Sequence, residues 1–246
     1  MIYSLLAAYN EQDNIAGVIS DIGENYGDVP FKIILVDDGS TDETSAIAKN
    51  SVSKFPGCLT IIRHEKNSGL GAALKTGFDY LFKVIQPDDI VLTLDADNTH
   101  PLYVSKAMVE KTIGDAGIVI ASRFCKGGEE IGLTIGRKFL SRLARGLFSI
   151  MFPYRGLTDY TCGFRAYRGD LLIKLHKTFG DKLITQTGFP AGTELLLKSL
   201  ALKPKIEEVP LALRYDLKKG KSKIKILKTI GAYLIMTLYI KVGINR

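Results

Sequence analysis

Phe31-Lys32-Ile33-Ile34-Leu35-Val36-Asp37-Asp38-Gly39-Ser40-Thr41-Asp42-Glu43-Thr44 is the stretch that decides how this chain folds. An aliphatic, β-branched run stops abruptly at two acids. The polar residues after it supply Ser40 or Thr41 as a helix cap and Asp42 and Glu43 for a first helical turn. A strand apolar on both faces and followed at once by a helix belongs in a parallel sheet, whose crossovers must lie over its faces. The same grammar repeats outward: residues 2–8, 59–62, 90–94 and 117–121 read as strands, and segments near 12–25, 41–54, 70–85 and 101–113 as helices. The expected class is therefore α/β, a Rossmann-like, mainly parallel central sheet with helices on both faces and right-handed crossovers. Past residue 122 the alternation breaks into a loop at Lys126-Gly127-Gly128-Glu129-Glu130, a basic helix near 137–151 and a stretch over 158–168. A helix near 190–202, a strand near 205–211 and a basic tail follow.

Charge is distributed unevenly along this plan. The 246 residues are 46% hydrophobic and 24% charged, which excludes a wholly disordered chain. The formal charge of +7 conceals a net −8 over residues 1–122 and a net +15 over 123–246. Residues 214–246 carry nine basic side chains against Asp216 alone. Such an end suits phosphates, anionic lipid headgroups or nucleic acid. The three cysteines and three histidines are too scattered for a zinc site or a disulfide scaffold. Met1 to Ala8 is apolar but runs straight into Asn10-Glu11, so it reads as a buried strand and not a signal peptide, and a cytosolic protein is expected. The apolar run 229–240 is shorter than the roughly 20 residues needed to span a bilayer. With no internal repeat or Pro/Ser-rich linker, one main domain over 1–213 is expected, followed by a basic loop and amphipathic helix over 214–246.

Carboxylates gather where the strands end. Asp37-Asp38 closes one run and Asp95-Ala96-Asp97 another, at the sheet edge where α/β proteins bind ligands. Two acids at a strand tip suit Mg²⁺ or Mn²⁺ with a diphosphate; they also suit a plain turn, since Asp favours turns and caps. A nicotinamide-binding Rossmann domain would show GxGxxG after the first strand, and this chain has Ala8-Tyr9-Asn10-Glu11 there. Asn67-Ser68-Gly69-Leu70-Gly71 reads as a close-approach loop opening a helix, or as turn chemistry alone.

In order along the chain, Ala7-Ala8-Tyr9-Asn10-Glu11, Val36-Asp37-Asp38-Gly39-Ser40, Asn67-Ser68-Gly69, Asp95-Ala96-Asp97 with His100-Pro101, Ala121-Ser122-Arg123-Phe124, and Thr158-Asp159 with Gly163-Phe164-Arg165 recur as a set. This set resembles the inverting family-2 nucleotide-sugar glycosyltransferases, most closely the dolichyl- and polyprenyl-phosphate sugar synthases. The resemblance runs from residue 2 to about 230. It implies a GT-A type fold and a sugar donor lying across the first sheet edge, with Ala7, Tyr9, Glu11, Val36 and Asp38 around the nucleoside. Asp95, Ala96 and Asp97 would hold the diphosphate through Mg²⁺ or Mn²⁺. Glu194 would lie near the donor sugar, and Arg214 with Lys223, in Gly220-Lys221-Ser222-Lys223, would close on the donor phosphates. The chain departs from the family at Ala7, where Pro is common, at Thr99, where Gln is common, and in the spacing of Arg214 from Gly220.

The basic half then gains a purpose, since cations must screen a lipid phosphate brought up to an anionic diphosphate. Arg123 follows the fifth strand, and Arg137 and Ser141, spaced i,i+4, share a helix face from which both reach a phosphate; a solvated basic face is the competing reading. In the tail, Lys221, Lys225 and Lys228 share one face and Ile224, Leu227, Ile230, Leu234 and Leu238 another, which suits a helix lying in an anionic membrane surface or one covering the core. Tyr233 and Tyr239 sit among aliphatics, not lysines, which disfavours nucleic acid. The expected protein is a metal-dependent hexosyltransferase with Asp95, Asp97 and Arg123 as catalytic residues. It would use GDP-mannose, or else UDP-glucose, and a polyprenyl or dolichyl phosphate at the cytoplasmic membrane face; a membrane-anchoring partner is compatible with that placement. The rivals are a family-2 transferase with a saccharide or protein acceptor and a catalytically silent scaffold that kept the fold.

Overall fold

The computed structural model describes residues 1–217 and 226–243. Strands β1 (Ile2–Ala8), β2 (Phe31–Asp37), β3 (Leu59–Arg63), β4 (Ile90–Asp95) and β5 (Ile118–Ser122) alternate with helices α1 (Ile15–Tyr26), α2 (Thr44–Ser51), α3 (Leu70–Leu81) and α4 (Val104–Gly114). Next come β6 (Glu129–Ile131), α5 (Ile135–Met151), β7 (Arg165–Arg168), α6 (Gly169–Phe179), α7 (Pro190–Ser199), β8 (Ile206–Pro210), β9 (Ala212–Arg214) and α8 (Ile226–Val242). Seven strands make one sheet in the order β3-β2-β1-β4-β7-β5-β8. Only β7 runs against its neighbours, so the sheet is mainly parallel. Successive residues of β1, β2, β4 and β5 are buried, which requires helices over both faces.

β7 and α6 are elements that the sequence pattern hid. The four-residue strand Arg165-Ala166-Tyr167-Arg168 carries a cation at each end and reads as surface. Arg165 is nonetheless 1% exposed, with Nη2 donating to the Tyr160 carbonyl at 2.8 Å and Nη1 to the Gly192 carbonyl. The ribbon of β6 with β9 was also unsignalled, each strand being three residues long. The expected boundary between residues 213 and 214 falls inside β9. Beyond it α8 packs on the main body: Tyr233 meets the Phe148 ring edge-on at 5.6 Å, and Met236 and Thr237 are buried. The opposite side of α8 leaves Leu234, Ile235, Leu238 and Tyr239 exposed, so the core-covering and surface readings each describe one side of this helix. Lys221, Ile224 and Lys225 lie outside the described residues, as do the side chains of Leu227 and Lys228. Among the described residues no helix is long and apolar enough to cross a membrane.

The register sets out the site. Ala7 pairs with Val36 on one side and Asp95 on the other, so the tips of β1, β2 and β4 end level. The turns beyond them are tied together. Asn10, at φ 51°, donates its N–H to Ser40 Oγ at 2.9 Å and accepts from the Thr41 N–H at 2.8 Å. The Glu11 N–H donates to Thr44 Oγ1 at 2.8 Å. At the start of α3, Gly71 donates to the Thr187 carbonyl at 2.9 Å, and a methyl on it would lie 1.9 Å from the Gln186 carbonyl oxygen. Only glycine permits that approach. Gly71→Ala is expected to cost about 1–3 kcal/mol in urea denaturation by forcing the 186–187 backbone outward. Gly136→Ala, whose methyl would meet open space, should be neutral or mildly stabilising.

Candidate active site

The two consecutive acids after β2 have separate duties. Asp37 is fully buried and accepts from the Ser40 N–H at 2.9 Å and from Ser45 Oγ, so it shapes the turn. Asp38 faces the cavity beyond the sheet. Its Oδ1 accepts from the Ser68 N–H at 2.9 Å and meets His64 Nδ1 at 2.7 Å, while Oδ2 accepts from the Gly69 N–H at 2.8 Å. His64 continues through Nε2 to Thr76 Oγ1 on α3 at 2.9 Å. Asp38 thus fixes the loop that forms one wall.

At the tip of β4 the chain turns through Asp95-Ala96-Asp97 with Asn98 at φ 61°. Asp97 is 7% exposed and its Oδ1 accepts from Thr99 Oγ1 at 2.7 Å and the Thr99 N–H at 3.2 Å. Thr99 therefore buttresses the second acid. The Asp95 side chain is 47% exposed, with His100 Nε2 3.9 Å from its Oδ2. His100, buried and stacked on Phe164 at 5.1 Å, accepts the Asp95 N–H through Nδ1 at 3.2 Å. The sequence singled out His100 only as part of a motif; its orienting role depends on a turn geometry that spacing does not reveal.

A cavity of about 530 Å³ joins these tips to α5 and α8. Ala7, Tyr9, Glu11, Asp38, Asp95, Ala96 and Asp97 line one part of it. Arg123, Arg137 and Ser141 line it too, with the apolar side chains of Leu133, Leu140, Ala144 and Ile230. Most of the expected site residues therefore converge on one space.

Arg123 is held by a buried ion pair. Its Nε and Nη2 grip Asp159 at 2.8 and 2.7 Å, and Nη2 also donates to Thr161 Oγ1 at 2.8 Å. Burial alone would depress the guanidinium, but the Asp159 charge and hydrogen bonds outweigh it and hold it above its ordinary value. Burial likewise opposes ionisation of Asp159, while Arg123 and the backbone N–H groups of Arg123 and Cys162 prevail and hold it below the usual carboxylate range. In the floor beside them, burial and the Asp159 charge push the Cys162 thiol up to about 12, which keeps it protonated. Arg137 donates to the Tyr215 hydroxyl and lies over its ring at 5.1 Å.

Among the described residues, three expected ones sit elsewhere. Val36 is fully buried in β2 and does not line the cavity. Glu194 is also fully buried: it accepts from the Thr185 and Gln186 N–H groups at 2.7 and 2.9 Å and pairs with Lys198 at 2.6 Å. Its carboxylate is spent on holding the 185–186 segment and does not line the cavity. Arg214 pairs with Asp216 at 2.8 Å away from the lining, and Lys223 lies outside the described residues. Tyr233, Phe189 and Leu133 line the cavity without any signal in the sequence, because tertiary packing of α7, α8 and the post-β6 loop brings them there.

A family model described as Glycosyl transferase family 2 matches residues 5–175, which span β1 through most of α6. This chain belongs to glycosyl transferase family 2. It is 30% identical over 94% of its length to a dolichol-phosphate mannosyltransferase of Pyrococcus furiosus, covering 60% of that protein. It is 29% identical over 70% of its length to a polyprenol monophosphomannose synthase of Mycolicibacterium smegmatis, covering 63% of it. The chain thus spans about three-fifths of the length of these curated relatives. A crystal structure of Mycobacterium tuberculosis glucosyl-3-phosphoglycerate synthase with Mn²⁺, UDP and phosphoglyceric acid shares the fold, with TM-score 0.69 and 23% identity over 99% of this chain and 78% of that one.

Asp159→Asn should cost about 3–5 kcal/mol at neutral pH by leaving a buried guanidinium without its partner. Because the folded carboxyl is depressed, its contribution is complete above the ordinary carboxylate value and is lost as pH falls through the folded value. The stability gap between wild type and variant, read by denaturant titration, should therefore narrow below about pH 4.

Proposed function

We propose that this chain transfers a hexose, mannose in preference to glucose, from a nucleotide diphosphate sugar to a dolichyl or polyprenyl phosphate at the cytoplasmic face of a membrane. One observation carries the reading. The strand-tip carboxylates Asp95 and Asp97 and the cations Arg123 and Arg137 open into the same cavity, and that cavity continues between α5 and α8 as an apolar wall. A diphosphate donor, a phosphate acceptor and a lipid chain each find matching chemistry along it. The names of the mannosyltransferase relatives support the same acceptor class.

Asp95 and Asp97 fit a divalent cation of the Mg²⁺ or Mn²⁺ kind. They offer hard oxygen donors on one turn, one of them half-exposed, and such ions complete their shell with substrate phosphate oxygens and water. Bound there, the ion would neutralise charge on the departing diphosphate. The protein's own residues do the positioning. Thr99 and His100 hold the turn that presents the two acids, and the Asp38-anchored loop walls the nucleoside end. Arg123, Arg137 and Ser141 align the acceptor phosphate, whose oxygen is already anionic and needs no dedicated base. That oxygen bonds to the anomeric carbon from the face opposite the leaving group, and the carbon–oxygen bond to the diphosphate breaks, with its electron pair going to the nucleoside diphosphate. Inversion of the anomeric centre follows from the single displacement.

The outer faces of α5 and α8 complete the proposal. Ile135, Phe139, Leu143 and Ile150 are exposed on α5, with Lys138 and Arg142 on the same helix, and Leu234, Ile235 and Leu238 are exposed on α8. Both helices flank the apolar wall. An amphipathic pair of this kind lies in a bilayer interface and places the wall against the acyl region.

Incubation with a panel of nucleotide sugars and polyprenyl phosphate, with products read by mass, should yield a metal-dependent glycosyl phospholipid that EDTA suppresses. Asp97→Asn should reduce transfer on the order of a hundredfold or more while leaving the melting transition in place. A panel that leaves polyprenyl phosphate unmodified would overturn the acceptor reading. Phe139→Ser with Leu234→Ser should weaken co-sedimentation with anionic vesicles, and added salt should weaken it further. Point substitutions are preferable to removing α8, because Tyr233 and Met236 are part of the core.

A further inference from the structure

Glu130, on β6, is a carboxylate set just behind the cavity lining, against two of the side chains, Arg123 and Ser141, proposed to bind the acceptor phosphate. Its side chain is 6% exposed. Oε1 accepts from Ser141 Oγ at 3.0 Å and lies 3.7 Å from Arg123 Nη1. Arg123 has committed Nε and Nη2 to Asp159 and Thr161, so Nη1 is the nitrogen left to face an incoming anion, and Glu130 already faces it. The carboxylate thus touches two of the three side chains assigned to the phosphate. The β6–β9 ribbon fixes it there: Glu130 pairs in register with Leu213, and Arg214 donates its N–H to the Thr99 carbonyl at 3.1 Å, tying the ribbon to the Asp97 turn.

We propose that Glu130 is the resident anion of this cradle, a specificity-determining residue that a phosphate monoester must displace from Ser141 and Arg123 before it can bind. This rests on the acceptor assignment above. Two anions cannot share one guanidinium nitrogen at contact distance without mutual repulsion, so the headgroup alone gains little on entering. A phosphate on a long apolar chain has a second source of binding in the wall of Leu133, Leu140, Ala144 and Ile230. Inorganic phosphate and small soluble phosphate esters lack it. Glu130 therefore makes occupancy of the cradle conditional on the lipid tail, which keeps small cytosolic phosphates from blocking the site.

The test compares the full chain with Glu130→Gln, which preserves the acceptor for Ser141 but removes the charge, and with Glu130→Asp, which keeps the charge. Calorimetric titration with inorganic phosphate should give binding about tenfold or more tighter in Glu130→Gln than in wild type or Glu130→Asp, the scale of one charge-assisted contact. Phosphate affinity that is unchanged or weaker in Glu130→Gln overturns the inference. So does transfer that collapses in kcat with acceptor KM unchanged, the mark of a base serving a neutral hydroxyl. Vesicles carrying polyprenyl phosphate form the second arm. Wild type should bind them while ignoring inorganic phosphate. Tighter phosphate binding in Glu130→Gln, combined with wild type that glycosylates a soluble phosphorylated acceptor and not the lipid, would overturn the lipid acceptor and the tail dependence but leave Glu130 as the cradle's anion.

Discussion

Most of the site depends on the buried pair of Arg123 and Asp159. Asp159 accepts five hydrogen bonds, from the Arg123 N–H, Nε and Nη2 and from the N–H groups of Thr161 and Cys162. Those contacts bind the end of β5 to the segment that forms the cavity floor. Glu208 on β8 holds the same segment from the other side through the Thr158 and Asp159 N–H groups at 2.6 and 2.9 Å. A charge pair this deep adds little net stability over an apolar pair, but losing either member is costly, so it specifies geometry more than it stabilises. The geometry specified is an arginine whose Nη1, the nitrogen not held by Asp159 or Thr161, faces Glu130.

The parallel half of the fold was legible because one physical signal covers it. Strands buried on both faces must be almost continuously apolar, and the runs at 2–8, 31–36 and 90–94 are, interrupted only by Ser4, Lys32 and Thr93. β7 escaped because it buries an arginine whose two terminal nitrogens find partners inside the fold. Arg165 looks exposed in sequence and is buried in fact, its charge met by carbonyl oxygens that only the folded chain brings near. Residues 212–214 escaped for the opposite reason, being too short to carry any period.

The site was legible by residue type and less so by duty. Asp37, Asp38, Asp95 and Asp97 all stand at strand tips, where turn chemistry and ligand chemistry ask for the same side chain. The structure separates the acids: Asp37 is absorbed into its own turn, while Asp95 is half-exposed and lines the cavity. Glu194 shows the limit of transferring a role by motif. A carboxylate near the start of a helix matched the expected position, yet the backbone N–H groups of residues 185 and 186 and the ammonium of Lys198 consume it. Sequence spacing cannot distinguish an acid that faces a cavity from one that anchors a loop behind it.

The charge asymmetry along the chain brings both signs of charge into one cavity. Acids from the first half, Glu11, Asp38, Asp95 and Asp97, and bases from the second, Arg123 and Arg137, line the same space. On the proposed function two substrates of like charge meet there, and charges of both signs let an anionic donor and an anionic acceptor be held together. Glu130 refines that balance beside Arg123. On the proposed acceptor assignment, the attraction of Arg123 and Arg137 would otherwise extend to any phosphate in solution; Glu130 partly cancels it in advance and leaves the remainder to the apolar wall. Selection among phosphates then falls to the lipid chain, the one part of the acceptor that its small competitors do not share.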